Sequence, residues 1–294
     1  MNWQVAVILT GVLSGLAQVA GKKLVMNLGA FQGGVIRDVT TLIFVIGVLM
    51  ISGGVPTVFD WRVVAIFTFG LLESVSLALY FSAIRTQMAA TAVFSYPMSQ
   101  LLIILFSGIF FAEWRYFDFR HLQGAVNVIA LGLTIVLMIL YQGKGTQIKG
   151  RIKWSNALAF SAIIVALTNI ESKWAVTTLA YSPAQAMLYE YLGMLAGGLA
   201  YVAYQGQTLR VGWRNVGWGA LQGILFGVSS LWYVGLLRDN PIGISSLLRR
   251  VTIVLISLTV AFWGYREGKK MKREQVVSLV LGLLIFGLVM WVNR

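Results

Sequence analysis

Between Trp3 and Val292 the chain consists of apolar runs about 20 residues long, parted by short clusters of charged or turn-forming residues. A helix rises about 1.5 Å per residue, so each run matches a hydrocarbon layer about 30 Å thick. A soluble domain carries roughly 25% charged residues to keep its surface wet. Here 11% are charged and 58% are hydrophobic, which leaves too little charge for a water-facing surface. The sequence therefore specifies an all-α integral membrane protein.

The runs predict about ten transmembrane helices, near 3–21, 30–52, 61–83, 88–112, 120–141, 154–174, 182–205, 214–237, 242–264 and 274–292. Trp3, Trp61, Trp114, Trp154, Trp213, Trp263 and Trp291 fall near their ends, where aromatic side chains settle at the membrane interface. The first run has no charged leader and no small-residue cleavage site, so it is expected to stay as the first helix rather than be removed as a signal peptide. The chain has no cysteine and one histidine, His121, beside a helix end. Thiolate chemistry is thereby excluded, and neither a histidine triad nor a metal site is expected. The net charge of +13 is spread over loops between apolar helices, the pattern of positive-inside loops rather than of a nucleic-acid surface.

Sliding the second half over the first by 151 to 153 residues aligns Trp3 with Trp154, Gln18 with Asn169, Lys22 with Lys173, Tyr80 with Tyr233 and Arg85 with Arg238. Five helices per half is an odd number, so homologous halves at 1–145 and 146–294 cross the membrane in opposite directions. Inverted repeats of this kind are the architecture of alternating-access transporters, with substrate bound between the halves. Most lysines and arginines fall in the loops after the odd-numbered helices, which places those loops in the cytoplasm and both termini outside. Gly11 and Gly15, Gly193 and Gly197, and Gly219, Gly223 and Gly227 form stripes of small residues that permit close helix contact.

Charge inside an apolar helix is costly and is expected to face the bundle interior. Such residues are Arg37, Asp38, Glu73, Glu171, Lys173, Glu190, Arg249 and Arg250. Ser14, Gln18 and Lys22 share one face of the first helix, and Glu73, Ser76 and Tyr80 share one of the third. Ser229 and Tyr233, aligned with Ser76 and Tyr80, are expected to face them across a cavity, with Tyr96, Ser99 and Gln100 as a further stripe beside Pro97. The expected substrate-binding residues are Arg249, Arg250, Arg37, Gln18, Lys22, Tyr80, Tyr96, Gln100, Asn169, Lys173 and Tyr233. A desolvated carboxyl holds its proton more tightly, which makes Glu73 and Glu190 the candidates for proton coupling. Pairing of these charges within the protein is the standing alternative.

Arg249 and Arg250 follow the Asn240-Pro241 turn that starts the ninth helix. Adjacent helical residues point about 100° apart, so the two guanidinium groups cannot share one direction. A planar, permanent charge suits two-pronged binding of a carboxylate or phosphate.

The stretch Leu77-Ala-Leu-Tyr-Phe-Ser-Ala-Ile-Arg-Thr-Gln-Met-Ala-Ala-Thr-Ala-Val-Phe-Ser-Tyr-Pro-Met98, with Gly108-Ile-Phe-Phe-Ala-Glu113 after it, resembles the passage from the third to the fourth helix in the drug/metabolite transporter superfamily, in its ten-helix EamA-type members. Lys22 and Arg37 are similar to basic residues that the family often carries, and the resemblance runs over essentially the whole chain. It implies a secondary transporter of small organic solutes, with helices 1 to 4 and 6 to 9 around the cavity and helices 5 and 10 peripheral. The double arginine departs from the general pattern and is similar to the basic pair that phosphate-carrying members place in their ninth helix.

The function expected from the sequence is secondary-active transport of a small polar metabolite bearing a carboxylate or phosphate. A flippase for a lipid-linked anionic intermediate is the alternative. No constellation for an enzyme is visible, and no cofactor, metal or nucleic acid is expected. The expected partners are the small-molecule substrate, protons as a coupling ion and membrane lipids, with a homodimer left open. The expected location is multi-pass in the cytoplasmic membrane of a prokaryote.

Overall fold

A computed structural model describes residues 2–28, 30–54, 60–86, 95–142, 151–206, 212–264 and 273–293. Among them the chain forms ten α-helices and no strand: α1 (Trp3–Leu28), α2 (Ala30–Ser52), α3 (Trp61–Thr86), α4 (Ser95–Phe111), α5 (Leu122–Gln142), α6 (Arg151–Thr177), α7 (Pro183–Tyr204), α8 (Trp213–Leu237), α9 (Ile242–Gly264) and α10 (Arg273–Val292). A single 3-10 turn, Glu113–Phe117, follows α4. Four helical segments are long and apolar enough to cross a membrane: Trp3–Leu28, Phe31–Ser52, Pro183–Tyr204 and Trp213–Leu237. Shorter apolar helical stretches run over Ser99–Phe111, Leu122–Thr134 and Val280–Val292. Large apolar side chains such as Ile43, Met50, Ile51, Ile109 and Leu283 are exposed on the outside of the bundle, as suits a chain whose surroundings are not water.

Local chemistry sets the helix ends. Asp60 accepts hydrogen bonds from the amides of Arg62 (2.9 Å) and Val63 (3.2 Å), which caps α3. Ser182 and Gln185 form a reciprocal capping box ahead of Pro183, starting α7. Gly53 (φ 68°) and Gly206 (φ 61°) close α2 and α7 in the left-handed region, and Ala180 (φ 57°) occupies that region just beyond α6. The first helix is longer than its sequence suggests. Lys22 and Lys23, expected in the loop after it, lie inside α1, with Lys22 buried.

Helices of one half pack mainly on helices of the other. α1 lies against α8 and α9, and α6 lies against α3 and α4; α2 lies against α7 and α8, and α3 against α7. α5 pairs with α10, and α4 meets α9. Close seams hold these pairs together. On α3 and α7, a Cβ at Gly70 would collide with the Glu190 carbonyl oxygen, and one at Gly193 with that of Phe67. On α2 and α8, a Cβ at Gly223 would lie 3.0 Å from the Arg37 carbonyl oxygen, and one at Gly227 would lie 2.7 Å from the Phe44 ring. The two seams are equivalent residue by residue, since 223 − 70 and 190 − 37 both equal 153. Thr40 and Thr41 strengthen the second by donating to the carbonyls of Gly219 (3.0 Å) and Gly223 (3.1 Å).

The chain ends are tied by amides. Asn293 donates to the Asn127 side chain (2.8 Å) and accepts from Gln123 (2.7 Å), its carbonyl accepts from Gln4, and Asn127 donates to the Tyr116 carbonyl (2.8 Å). This knot joins α1, α5, α10 and the 3-10 turn in a buried position.

Two predictions follow from backbone geometry. Gly193→Ala must force α3 and α7 apart and is expected to lower the melting temperature in detergent by several degrees, whereas Gly217→Ala, which meets nothing within 4 Å, should raise it through helix propensity worth roughly 0.5–1 kcal/mol. Ala180→Gly removes the strain of a side chain in the left-handed region, roughly 1 kcal/mol, and is expected to raise the same melting temperature.

Candidate functional site

The start of α9 is held by a carboxylate from elsewhere. Glu113 accepts from the amides of Ile242 (Oε1, 3.1 Å) and Gly243 (Oε2, 3.2 Å), two of the donors that a helix start leaves unsatisfied. Lys173, near the end of α6, donates to the same Oε1 and to the Asn240 carbonyl (3.0 Å). Lys173, expected in the substrate group, is thus engaged in a buried knot joining α4, α6 and α9.

Two turns further along α9 the arginines diverge, as adjacent helical positions must. Arg249 points toward α1 and α8. Its NH2 donates to the hydroxyls of Ser14 (2.9 Å), Ser229 (3.1 Å) and Ser230 (3.5 Å), and its guanidinium lies 4.2 Å from the centre of the Tyr233 ring. Arg250 points toward α4 and donates to Ser99. Beside it, Gln100 donates to the Gly243 carbonyl (2.8 Å) and accepts from Ser246 (2.9 Å). Arg250 is 7% exposed and Arg249 is half-buried, so Arg249 is the more open of the two. The Tyr233 hydroxyl is buried with no hydrogen-bond partner among the described residues.

A second group gathers where α2, α3, α6 and α7 meet. Arg37 donates from Nε to Asp38 (2.8 Å), both side chains being buried, and its guanidinium lies 4.9 Å from the Phe226 ring and 6.0 Å from the Tyr191 ring. The carboxyls of Glu73 on α3 and Glu190 on α7 are hydrogen-bonded to one another. Glu171 on α6 interacts electrostatically with both. Glu73 lies twelve residues into α3, about 18 Å from its start, so the group is deep in the bundle.

The serines fall differently from expectation. Ser229 does not oppose Ser76: it bonds to Ser14 (2.7 Å) and donates to the Thr10 carbonyl (2.7 Å), both on α1. Ser76 bonds instead to Ser161 on α6 (2.7 Å). The reason is packing, since α8 lies on α1 and α3 lies on α6, so each stripe is spent on its own neighbour. Gln18 and Lys22 are buried on α1, and Asn169 donates back to the Val165 carbonyl of its own helix (2.7 Å). Tyr80 and Tyr96 lie on α3 and α4 with side chains outside the described residues. Glu113, Glu171, Ser99 and Ser230 were absent from the expected site. Of these, Glu171 carried a visible signal, a charge inside an apolar helix, and Ser230 stood beside a serine already singled out. Among the described residues no three acidic, histidine or cysteine side chains are arranged to hold a metal ion.

No family model and no curated protein matches the chain. A solved structure described as "Crystal structure of protein" is similar to it with a TM-score of 0.72 and 17% identity, over 99% of this chain and 96% of that one. The chain therefore shares its fold, over nearly its full length, with a protein whose structure has been solved.

Removing one partner of a buried ion pair strands the other charge, at a cost of about 3–5 kcal/mol. Glu113→Gln is accordingly expected to lower the melting temperature by several degrees. The double variant Glu113→Gln with Lys173→Met should lose less than the sum of the two single changes, which a double-mutant cycle on thermal unfolding checks.

Proposed function

We propose that the protein is a secondary-active transporter of the EamA type in the drug/metabolite transporter superfamily, moving a small polar metabolite with a carboxylate or phosphate group across the cytoplasmic membrane. Its halves, 1–145 and 146–294, act as inverted five-helix repeats that alternate access to a site between them. Support for the repeat comes from the paired packing of α1 on α8 with α6 on α3, and of α2 on α8 with α3 on α7. Support also comes from the 153-residue offset between Gly70 against Glu190 and Gly223 against Arg37. Rocking of one half on the other would slide these seams without breaking helices.

The observation that carries the substrate class is Arg249: a half-buried guanidinium over an aromatic face, oriented by hydroxyls from two helices. Hydroxyls aim a guanidinium without cancelling its charge, and a two-pronged acceptor such as carboxylate or phosphate completes it. Arg250, buried against α4, positions α9. Glu73 and Glu190 are the residues proposed to load and release the coupling proton.

The test is a thermal-shift screen of purified protein against carboxylates, sugar phosphates, nucleotides and lipid phosphates. A stabilising anion is expected, and a screen in which cations alone stabilise the protein would falsify the reading. Arg249→Ala should weaken binding of the anion about 10- to 100-fold, the range of a lost charge-assisted hydrogen bond. Arg250→Ala should lower the melting temperature and leave affinity within a few-fold. A response confined to lipid phosphates would point to a flippase instead.

A further inference from the structure

The acids around α3, α6 and α7 outnumber the cations available to them. The ionisable groups that act on one another here are Asp38 and Arg37 from α2, Glu73 from α3, Glu171 from α6, and Glu190 and Tyr191 from α7. Four carboxyls face one guanidinium, so three negative charges (4 − 1) are left over if all ionise. Asp38 already takes Arg37 as its hydrogen-bonded partner. The remainder falls on the three glutamates.

Glu171 makes this more than a cluster of like charges. It is 3% exposed, and neither of its carboxyl oxygens has a hydrogen-bond partner among the described residues. One oxygen of Glu73 is likewise buried without a partner. An ionised carboxylate left so costs several kcal/mol, so the group must be neutralised by positive charge that comes and goes. The hydrogen bond between Glu73 and Glu190 requires a proton on one of them, so the cluster carries at least one exchangeable proton. The side chains are not arranged to chelate a metal ion. A primary ammonium group has three donors, and here three carboxyls from three helices converge.

We propose that Glu73, Glu171 and Glu190 form a cation-exchange site that takes the ammonium group of an organic amine in place of a proton. The amine arrives charged, an O–H proton of the cluster leaves to bulk solvent, and the ammonium donates its N–H bonds to the carboxylates left behind. No covalent bond is made or broken besides that O–H. The ammonium belongs either to a free amine or to a zwitterion whose acid group sits on Arg249. The site stands whether or not Arg249 binds an anion.

The experiment is proton release from full-length protein in detergent, lightly buffered and followed with a pH-indicator dye, on addition of butylamine, 1,4-diaminobutane or a panel of amino acids. Tetramethylammonium, which lacks N–H donors, and potassium chloride serve as controls. The expected result is saturable release of about one proton per amine bound, with the apparent Kd tightening about ten-fold per pH unit as linkage requires. Glu171→Gln and Glu73→Gln are each expected to cut the release at least ten-fold while thermal unfolding remains cooperative. Release by the simple amines, persisting in Arg249→Ala, identifies a free-amine site. Release by amino acids alone, lost in Arg249→Ala, identifies the ammonium end of a zwitterion. No release from the unaltered protein by any amine overturns the proposal whatever the variants do. So does equal release by the controls, or undiminished release in both glutamine variants.

Discussion

The backbones of α3 and α7 touch. Gly70 leaves no room for a side chain against the Glu190 carbonyl, nor does Gly193 against that of Phe67. Lipid tails are as apolar as leucine, so helices in a membrane gain little from burying apolar faces and rely on close van der Waals contact instead. The glycine seam supplies that contact, and it also decides where the acids go. With the helix axes this near, Glu73 and Glu190 have no space between them for a neutral spacer, and their carboxyls meet. The seam between α2 and α8 does the same for Arg37, pressing it under Phe226.

A chain with 11% charged residues has placed several of them where charge is hardest to keep. They are handled in different ways. Glu113 and Lys173 neutralise each other and satisfy the first amides of α9, so that knot is closed on itself. Arg37 and Asp38 are neighbours in sequence and pair within one helix. Arg249 is turned toward hydroxyls, and Glu171 toward other acids. The first two arrangements end in neutrality, whereas the last two depend on what else occupies the place. Stability and transport therefore draw on different members of the same small set of charges.

Helix placement was legible because membrane-length apolar runs leave few alternatives, and the ends of α2, α7, α8 and α9 lie within a residue or two of the sequence reading. The exception, α1, continues past Lys22 and Lys23 because a lysine inside a helix bundle reads the same in sequence as a lysine in a loop. Faces were legible and their partners were not. Helical periodicity puts Ser229 and Tyr233 on one side of α8, but only packing decides that this side meets α1 rather than α3. The divergence of Arg249 from Arg250 follows from the helical angle alone. Glu171 was visible as a charge in an apolar run, yet its oxygens being without partners depends on three helices whose approach no local pattern encodes.

The two seams hold one geometry with two chemistries. At the offset of 153 that relates Gly70 to Gly223 and Glu190 to Arg37, Glu73 corresponds to Phe226 (226 − 73 = 153). On one side, then, a carboxyl hydrogen-bonds a carboxyl; on the other, an aromatic ring covers a guanidinium. An arginine under a ring with an aspartate beside it is complete, being stacked and neutralised. Two acids at the matching place are not, because they need a proton between them and attract further positive charge. Since the backbone frame is the same, the difference lies in the side chains alone. What could have been two equivalent structural pairs has become one fixed pair and one that depends on an exchangeable cation.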